Sequence, residues 1–158
     1  MEVSGQVAYA FGFRTAQHPW LATLRDIFYP EGRKVFPASV LTSLSARSLA
    51  FWYWDDGHFD GGLPSFALGD ISDLEAEEVA RLVRDRFSLD TYVKPQSTET
   101  CKIMGVRART ADVFFYLVRD FATEDLLYKI PQKHWPRGVV PRVVPLTKEA
   151  QALPRDLA

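Results

Sequence analysis

Two adjacent carboxylates, Asp55 and Asp56, stand with Gly57 at the end of an unbroken apolar run, Leu49-Ala50-Phe51-Trp52-Tyr53-Trp54. Tandem carboxylates can hold a hard divalent ion, which takes oxygen ligands. Asp-Asp-Gly is also a common polar turn. What favours chemistry is the position of the pair. Ser45 can accept a hydrogen bond from an orphan N–H of a first helical turn, so a helix is expected to start behind it. That helix should stop at Asp55-Asp56-Gly57, with Gly57 suited to the left-handed position just past a helix end. Both carboxylates then meet the negative end of the helix dipole, and something cationic must compensate them. A divalent ion is the economical candidate. The run itself, apolar all round, predicts a buried rod with no solvent face.

The cations are unevenly placed. Residues 41–90 are acidic, with Asp70, Asp73, Glu75, Glu77 and Glu78 close together. Residues 91–158 lean basic through Lys94, Lys102, Arg107, Arg109, Lys129, Lys133, Arg137 and Arg142. A phosphate-facing surface is therefore expected mainly from the second half, although taken singly most of these residues also suit a solvated face. The net charge of −1 and pI near 6.3 argue against a strongly basic nucleic-acid binder. One cysteine, Cys101, excludes an intrachain disulfide framework, and three scattered histidines allow no Cys/His zinc spacing. With no bilayer-length apolar run and no secretory pattern at the N-terminus, an intracellular, reducing location without a membrane partner is expected.

The elements that must position these groups follow from periodicity and punctuation. Residues 6–13 read as a strand, and His18 to about Tyr29 as a helix with a Leu21, Leu24, Ile27, Phe28 stripe. Pro30-Glu31-Gly32 ends it, and Arg33 to Pro37 form a short basic loop before the central helix. Beyond Gly57, a turn-rich segment and Ser65–Gly69 suggest a modest hairpin. Ser72 or Asp73 caps the next helix, whose apolar face is read as Leu74, Val79, Leu82, Val83 and Phe87. Leu89–Lys94 and Cys101–Val106 flank a polar turn and predict a second hairpin. Val113, Phe114, Leu117, Val118 and Phe121 mark a last helix, and Leu126–Pro131 closes the packed part. Helix, hairpin, helix, hairpin, helix gives an α+β domain with an antiparallel sheet covered by helices on one face. The uncovered face must meet water or a ligand, and such a ribbon is shaped to lie along a duplex groove.

The segment Leu49 to Gly57 resembles the motif of the LAGLIDADG homing endonucleases, nearest to the intron-encoded branch whose second motif reads roughly Leu-Ala-x-Trp-aromatic-Met-Asp-Asp-Gly. Lys34-Val35-Phe36-Pro37 looks like that branch's Lys-x-Ile-Pro, and Phe28-Tyr29 falls where it often has Phe-Tyr. Ser72–Phe87 and Tyr92-Val93-Lys94 resemble its middle helix and following strand, and Tyr128-Lys129-Ile130-Pro131 its closing Tyr-Lys-Leu-Pro. The likeness runs in order over about residues 8–131.

The resemblance implies an αββαββα half whose saddle-shaped antiparallel sheet lies in the major groove of double-stranded DNA. It implies residues 1–40 as the end of a preceding half, 41–131 as the LAGLIDADG-type domain and 132–158 as a Pro-rich tail. Asp56 takes the place of the catalytic, metal-binding acid, with Asp55 as a neighbouring ligand for Mg2+ or Mn2+. Lys34 and Lys129 fall on the basic residues beside the metals. Lys94, Lys102, Arg107 and Arg109 would contact DNA, as would His58, for which a solvated turn histidine is the other reading. One such motif is written in the chain, so a second half is expected from another chain or copy, as a homodimer or heterodimer. Position three of the motif, often glycine, is Phe51, and residues 58–70 carry no lysine or arginine. The expected function is a site-specific, divalent-metal-dependent DNA endonuclease. The alternatives are a cleavage-deficient DNA- or RNA-binding relative, such as an intron maturase or repurposed regulator, and an interaction domain in which the aspartates merely end a helix.

Overall fold

The computed structural model describes residues 18–95 and 101–138. The expected strand over 6–13, the turn around Ser97 and the tail past 138 lie outside the described residues. The chain divides into two units, residues 1–35 and 36–158.

In the first unit, helix α1 (Pro19–Phe28) starts on a proline whose missing N–H costs nothing there, with His18 Nδ1 accepting from the Trp20 N–H at 3.2 Å. The stripe of Leu21, Leu24, Ile27 and Phe28 is present, but no residue of α1 is buried. Pro30–Gly32 then forms a single 3-10 turn.

The second unit opens with a short helix, α2 (Ala38–Thr42), between the expected Arg33–Pro37 loop and the Ser45 cap, in a stretch for which no element was expected. Its propensity is poor: the Thr42 and Ser43 hydroxyls fold back onto carbonyls of Ala38 and Ser39. Packing holds it instead, because Leu41 is buried and α2 lies against the long helix α4 (Asp73–Phe87). Around these run helix α3 (Ala46–Asp56), strands β1 (Gly57–Asp60) and β2 (Leu63–Gly69), then β3 (Thr91–Pro95), β4 (Lys102–Val106) and helix α5 (Ala108–Val118). From α3 onward this is the expected α+β order.

The four strands form one antiparallel sheet in the order β1-β2-β4-β3. The β1–β2 hairpin closes through Gly61-Gly62, both at positive φ (56° and 86°), the two-residue turn whose twist matches the strands. Helices α3, α4 and α5 all pack on the sheet. The pleat then decides which residues face them. In β2 the buried residues are Pro64, Phe66 and Leu68; in β4, Met104 and Val106 share their side. Tyr53 of α3, Phe66 of β2 and Phe114 of α5 meet with ring centroids 4.9–5.7 Å apart and form the centre of the core.

Helix α4 begins in a capping box, with Ser72 and Glu75 each accepting the other's backbone N–H. Two residues assigned to apolar faces point outward. Leu74 is exposed because α4 buries Ala76, Val79, Ala80, Leu82 and Val83, and Leu74 falls nearly opposite the middle of that face. Val113 is exposed for the same reason beside Ala111, Phe114, Phe115 and Val118. Alanines, silent in a search for large apolar residues, complete both stripes. Past Pro131, residues 132–138 are not loose: His134 stacks on Phe115 at 5.3 Å and the Trp135 indole donates to the Ile130 carbonyl.

Candidate functional site

The site begins at the foot of α3. Ser45 caps the helix as expected, accepting the Ser48 N–H at 3.1 Å. Leu49, Ala50, Tyr53 and Trp54 are buried, but Phe51 is 63% exposed and Asp55 is exposed below it. The rod is therefore not enclosed all round; among the described residues one side of its shaft is open. Gly57 also departs from expectation. Its φ and ψ of −85° and 148° are extended, so the helix runs straight into β1 without a left-handed residue. Glycine is required by contact instead. A Cβ there would overlap the Tyr53 ring and the Tyr53 carbonyl, which accepts the Gly57 N–H.

The cation that the carboxylate pair demands is supplied in part by the chain itself. The Lys129 ammonium donates to the Trp54 carbonyl at 2.7 Å. That carbonyl is one of the four that a helix C-terminus leaves without an intrahelical partner, and a positive charge there opposes the dipole favourably. In return the Tyr53 hydroxyl donates to the Lys129 carbonyl at 2.8 Å. Lys129 is one of two buried polar or charged residues in the described structure. Burial pushes its ammonium below the usual lysine value, against the opposing pull of Asp55 and then Asp56. The Tyr53 phenol is pushed upward, by burial first and by Tyr128 second. Asp56 is half-buried. Lys34 belongs to the first unit, in the non-helical stretch after Gly32.

From this foot a groove of about 840 Å³ extends over the sheet face opposite α3, α4 and α5. Register explains its lining. His58 pairs with Ser65, Ser65 with Gly105, and Gly105 with Tyr92, so all four share the open face. Lys94 and Ile103 pair on the same face one step along, and Tyr128 and Lys129 close the end nearest α3. Gly105 lets the Tyr92 ring lie flat across β4, where a Cβ would collide with it. Tyr92, Ser65, Ile103 and Tyr128 were not singled out from sequence. The glycine inside the β4 pattern was the available signal for Tyr92.

The remaining expected DNA-contacting cations are placed differently. Lys102 has the parity of Met104, so it faces the helix side and pairs with Asp73 of α4 at 2.6 Å. Arg109 and Arg107 converge on Asp90 at 2.6 and 3.5 Å, and the Arg107 guanidinium also lies 4.9 Å over the Tyr92 ring. Both arginines are exposed, at the end of β4 and the start of α5. Thus His58, Lys94 and Lys129 share the groove, whereas Lys102 is off it.

Among the described residues no three His, Cys, Asp or Glu side chains gather as a protein-only metal cage. The donor set at Asp55-Asp56 nevertheless fits one metal class. Magnesium is held by one or two carboxylates and completes its shell with water and substrate phosphates. A soft or zinc-like site has no ligands here. No helix among the described residues is long and apolar enough to cross a membrane.

Comparison with known proteins agrees with this geometry. The solved structure of the homing endonuclease I-WcaI bound to its DNA recognition sequence is similar, with a TM-score of 0.64 at 21% identity. The match covers 74% of this chain and 54% of that one, so the chain spans about half the length of that relative. A model of the LAGLIDADG DNA endonuclease family matches residues 3–114, most of the sequence. The chain belongs to the LAGLIDADG DNA endonuclease family.

Proposed function

We propose that this chain is a site-specific, divalent-metal-dependent DNA endonuclease that acts together with a second motif half, from another copy or another chain. One observation carries the reading: the Asp55-Asp56 pair ends α3 beside a lysine that opens into a groove across the sheet face opposite α3, α4 and α5. Phosphodiester hydrolysis needs an activated water, neutralised phosphoryl oxygens and a stabilised leaving oxygen. A bound Mg2+ or Mn2+ held by Asp56, with Asp55 beside it, would supply the Lewis acidity for these.

The chain's own residues do the rest. Lys129 offers an ammonium, tethered through one N–H to the Trp54 carbonyl, against developing negative charge. Lys34 is assigned the companion basic role. His58, Ser65, Tyr92, Lys94 and Ile103 present donors, acceptors and apolar surface to a duplex groove, and Arg107 and Arg109 supply phosphate contacts at its edge. The exposed Phe51 side of α3 is the packing surface for the second half's helix. On this reading residues 41–131 are the working half, 1–40 the end of a preceding one and 132–158 a tail.

A specific observation supports a second reading, a relative that binds nucleic acid without cutting it. Lys102 is spent on Asp73, and β1 and β2 bring no lysine or arginine to the open face. Incubating the full chain with a plasmid library in Mg2+ or Mn2+, with EDTA as the control, separates the two. Metal-dependent, site-specific double-strand cuts support the endonuclease. Salt-sensitive binding without cuts supports the second reading. Sedimentation with DNA tests the second half, and a strict monomer cutting both strands would exclude it.

A further inference from the structure

We propose that Tyr53 is a positioning residue for Lys129, holding its ammonium at the foot of α3; this rests on the role assigned to Lys129 above. The Tyr53 hydroxyl donates to the Lys129 carbonyl at 2.8 Å, and the Lys129 ammonium donates to the Trp54 carbonyl at 2.7 Å. Two consecutive helix residues are thus tied to a single residue in opposite senses, by its backbone and by its side chain. The ties form a closed ring across 75 or more residues of chain.

Lys129 needs such a ring. It ends a 3-10 segment, Glu124–Lys129, that belongs to no strand and no α-helix. Leu127 and Ile130 anchor that segment through apolar contact, which sets depth but not direction. A flexible four-carbon side chain has to be aimed by its backbone and by what its ammonium bonds. Tyr53 is suited to fix that backbone. It is fully buried, and its ring is held by Trp54, Phe66 and Phe114 at centroid distances of 4.9–5.5 Å. The ring's packing explains an aromatic residue at this position. It does not explain a hydroxyl, because burying a phenol is tolerable only when it finds a partner. The partner found is the backbone of Lys129, a groove-lining lysine drawn on by Asp55 and Asp56.

The test uses the full chain with Tyr53→Phe, which keeps the ring, and Lys129→Gln as comparison. Two readouts are needed. One is single-turnover cleavage, in Mg2+, of a duplex recovered from a randomised library. The other is acetylation of Lys129 by limiting acetic anhydride in the free protein, read by mass spectrometry. Tyr53→Phe is expected to lower the cleavage rate constant by about tenfold or more, because small misplacements near a reacting phosphate are costly. Reaction amplitude and duplex affinity should stay within about twofold of wild type, and Lys129 acetylation should rise severalfold as its buried amine becomes accessible to the reagent. A merely structural role would lower the amplitude and leave the rate constant and acetylation unchanged, which would overturn the proposal. Wild-type rate and acetylation in Tyr53→Phe, with Lys129→Gln slow, would overturn it too and spare the reading of Lys129. If Lys129→Gln cuts as fast as wild type, the assigned role of Lys129 fails. Acetylation then decides the positioning claim alone: a rise upholds it and no change overturns it.

Discussion

Replacing Gly57 with alanine tests whether α3 meets β1 by conformation or by contact. At φ −85° and ψ 148° an alanine is unstrained, and by chain entropy alone it would stabilise the fold by about 0.4–1 kcal/mol. The contact term opposes this. The new methyl would overlap the Tyr53 ring and carbonyl. The ring cannot swing aside, because Trp54, Phe66 and Phe114 surround it and its hydroxyl is bonded to the Lys129 carbonyl. Overpacking such a site costs about 1–3 kcal/mol, and pulling the hydroxyl from its buried acceptor adds about 1–3 kcal/mol. The net expectation is a loss of about 1–5 kcal/mol, a fall in Tm of roughly 2–20 °C for a chain of this size. Urea unfolding of Gly57→Ala against wild type measures it. Gly61→Ala is the contrast, since a Cβ there meets nothing within 4 Å but must adopt a φ of +56°. It should cost about 1–2 kcal/mol through the backbone alone. Gly57→Ala within about 0.5 kcal/mol of wild type would refute the contact argument.

Two further outcomes follow from the charges. Burial holds the folded-state value of Lys129 below its ordinary 10.5, so between those values the unfolded chain binds more protons and stability rises with pH. Lys129→Met removes that dependence: wild type should gain on the variant as pH climbs from about 7 toward 10, on top of a constant loss of about 1.5–3 kcal/mol for the Trp54 bond. Urea titrations along that series check it, and a pH-independent difference would contradict the burial. The series stops below 10.0 because the raised Tyr53 value makes that group's contribution fade above it. For nucleic acid, Lys94→Ala should reduce the salt slope of duplex binding by about 0.9, as loss of one phosphate contact does. Lys102→Ala should leave the slope unchanged and cost about 0–1 kcal/mol of stability through Asp73. Equal slopes for both variants would remove Lys94 from the interface.

Much of this was legible in the sequence because the signals are local. Ser45, and Ser72 or Asp73, announced two helix starts, and the turn-rich segment after Gly57 announced a hairpin. The carboxylate pair at a helix end was legible as an electrostatic debt, and Lys129 answers it. What was not legible depends on tertiary contact. Gly57 carries a signature that fits a left-handed cap equally well; only the Tyr53 ring distinguishes the two. Lys102 and Lys94 look alike in sequence, and the pleat sends one to Asp73 and the other to the groove. Helix α2 forms because Leu41 is buried against α4, not because its five residues favour it. Phe51, read as part of a buried rod, is exposed, because burial of that side depends on what packs against α3 and not on the apolar run itself.

The most direct test of the account is Asp56→Asn, which keeps the size of the side chain and removes its charge. Cutting of a selected duplex in Mg2+ and binding of the same duplex in Ca2+ should be measured on one preparation. Cutting is expected to fall by about 100-fold or more, roughly 2.7 kcal/mol of barrier, while affinity stays within about threefold. Undiminished cutting by Asp56→Asn would contradict it.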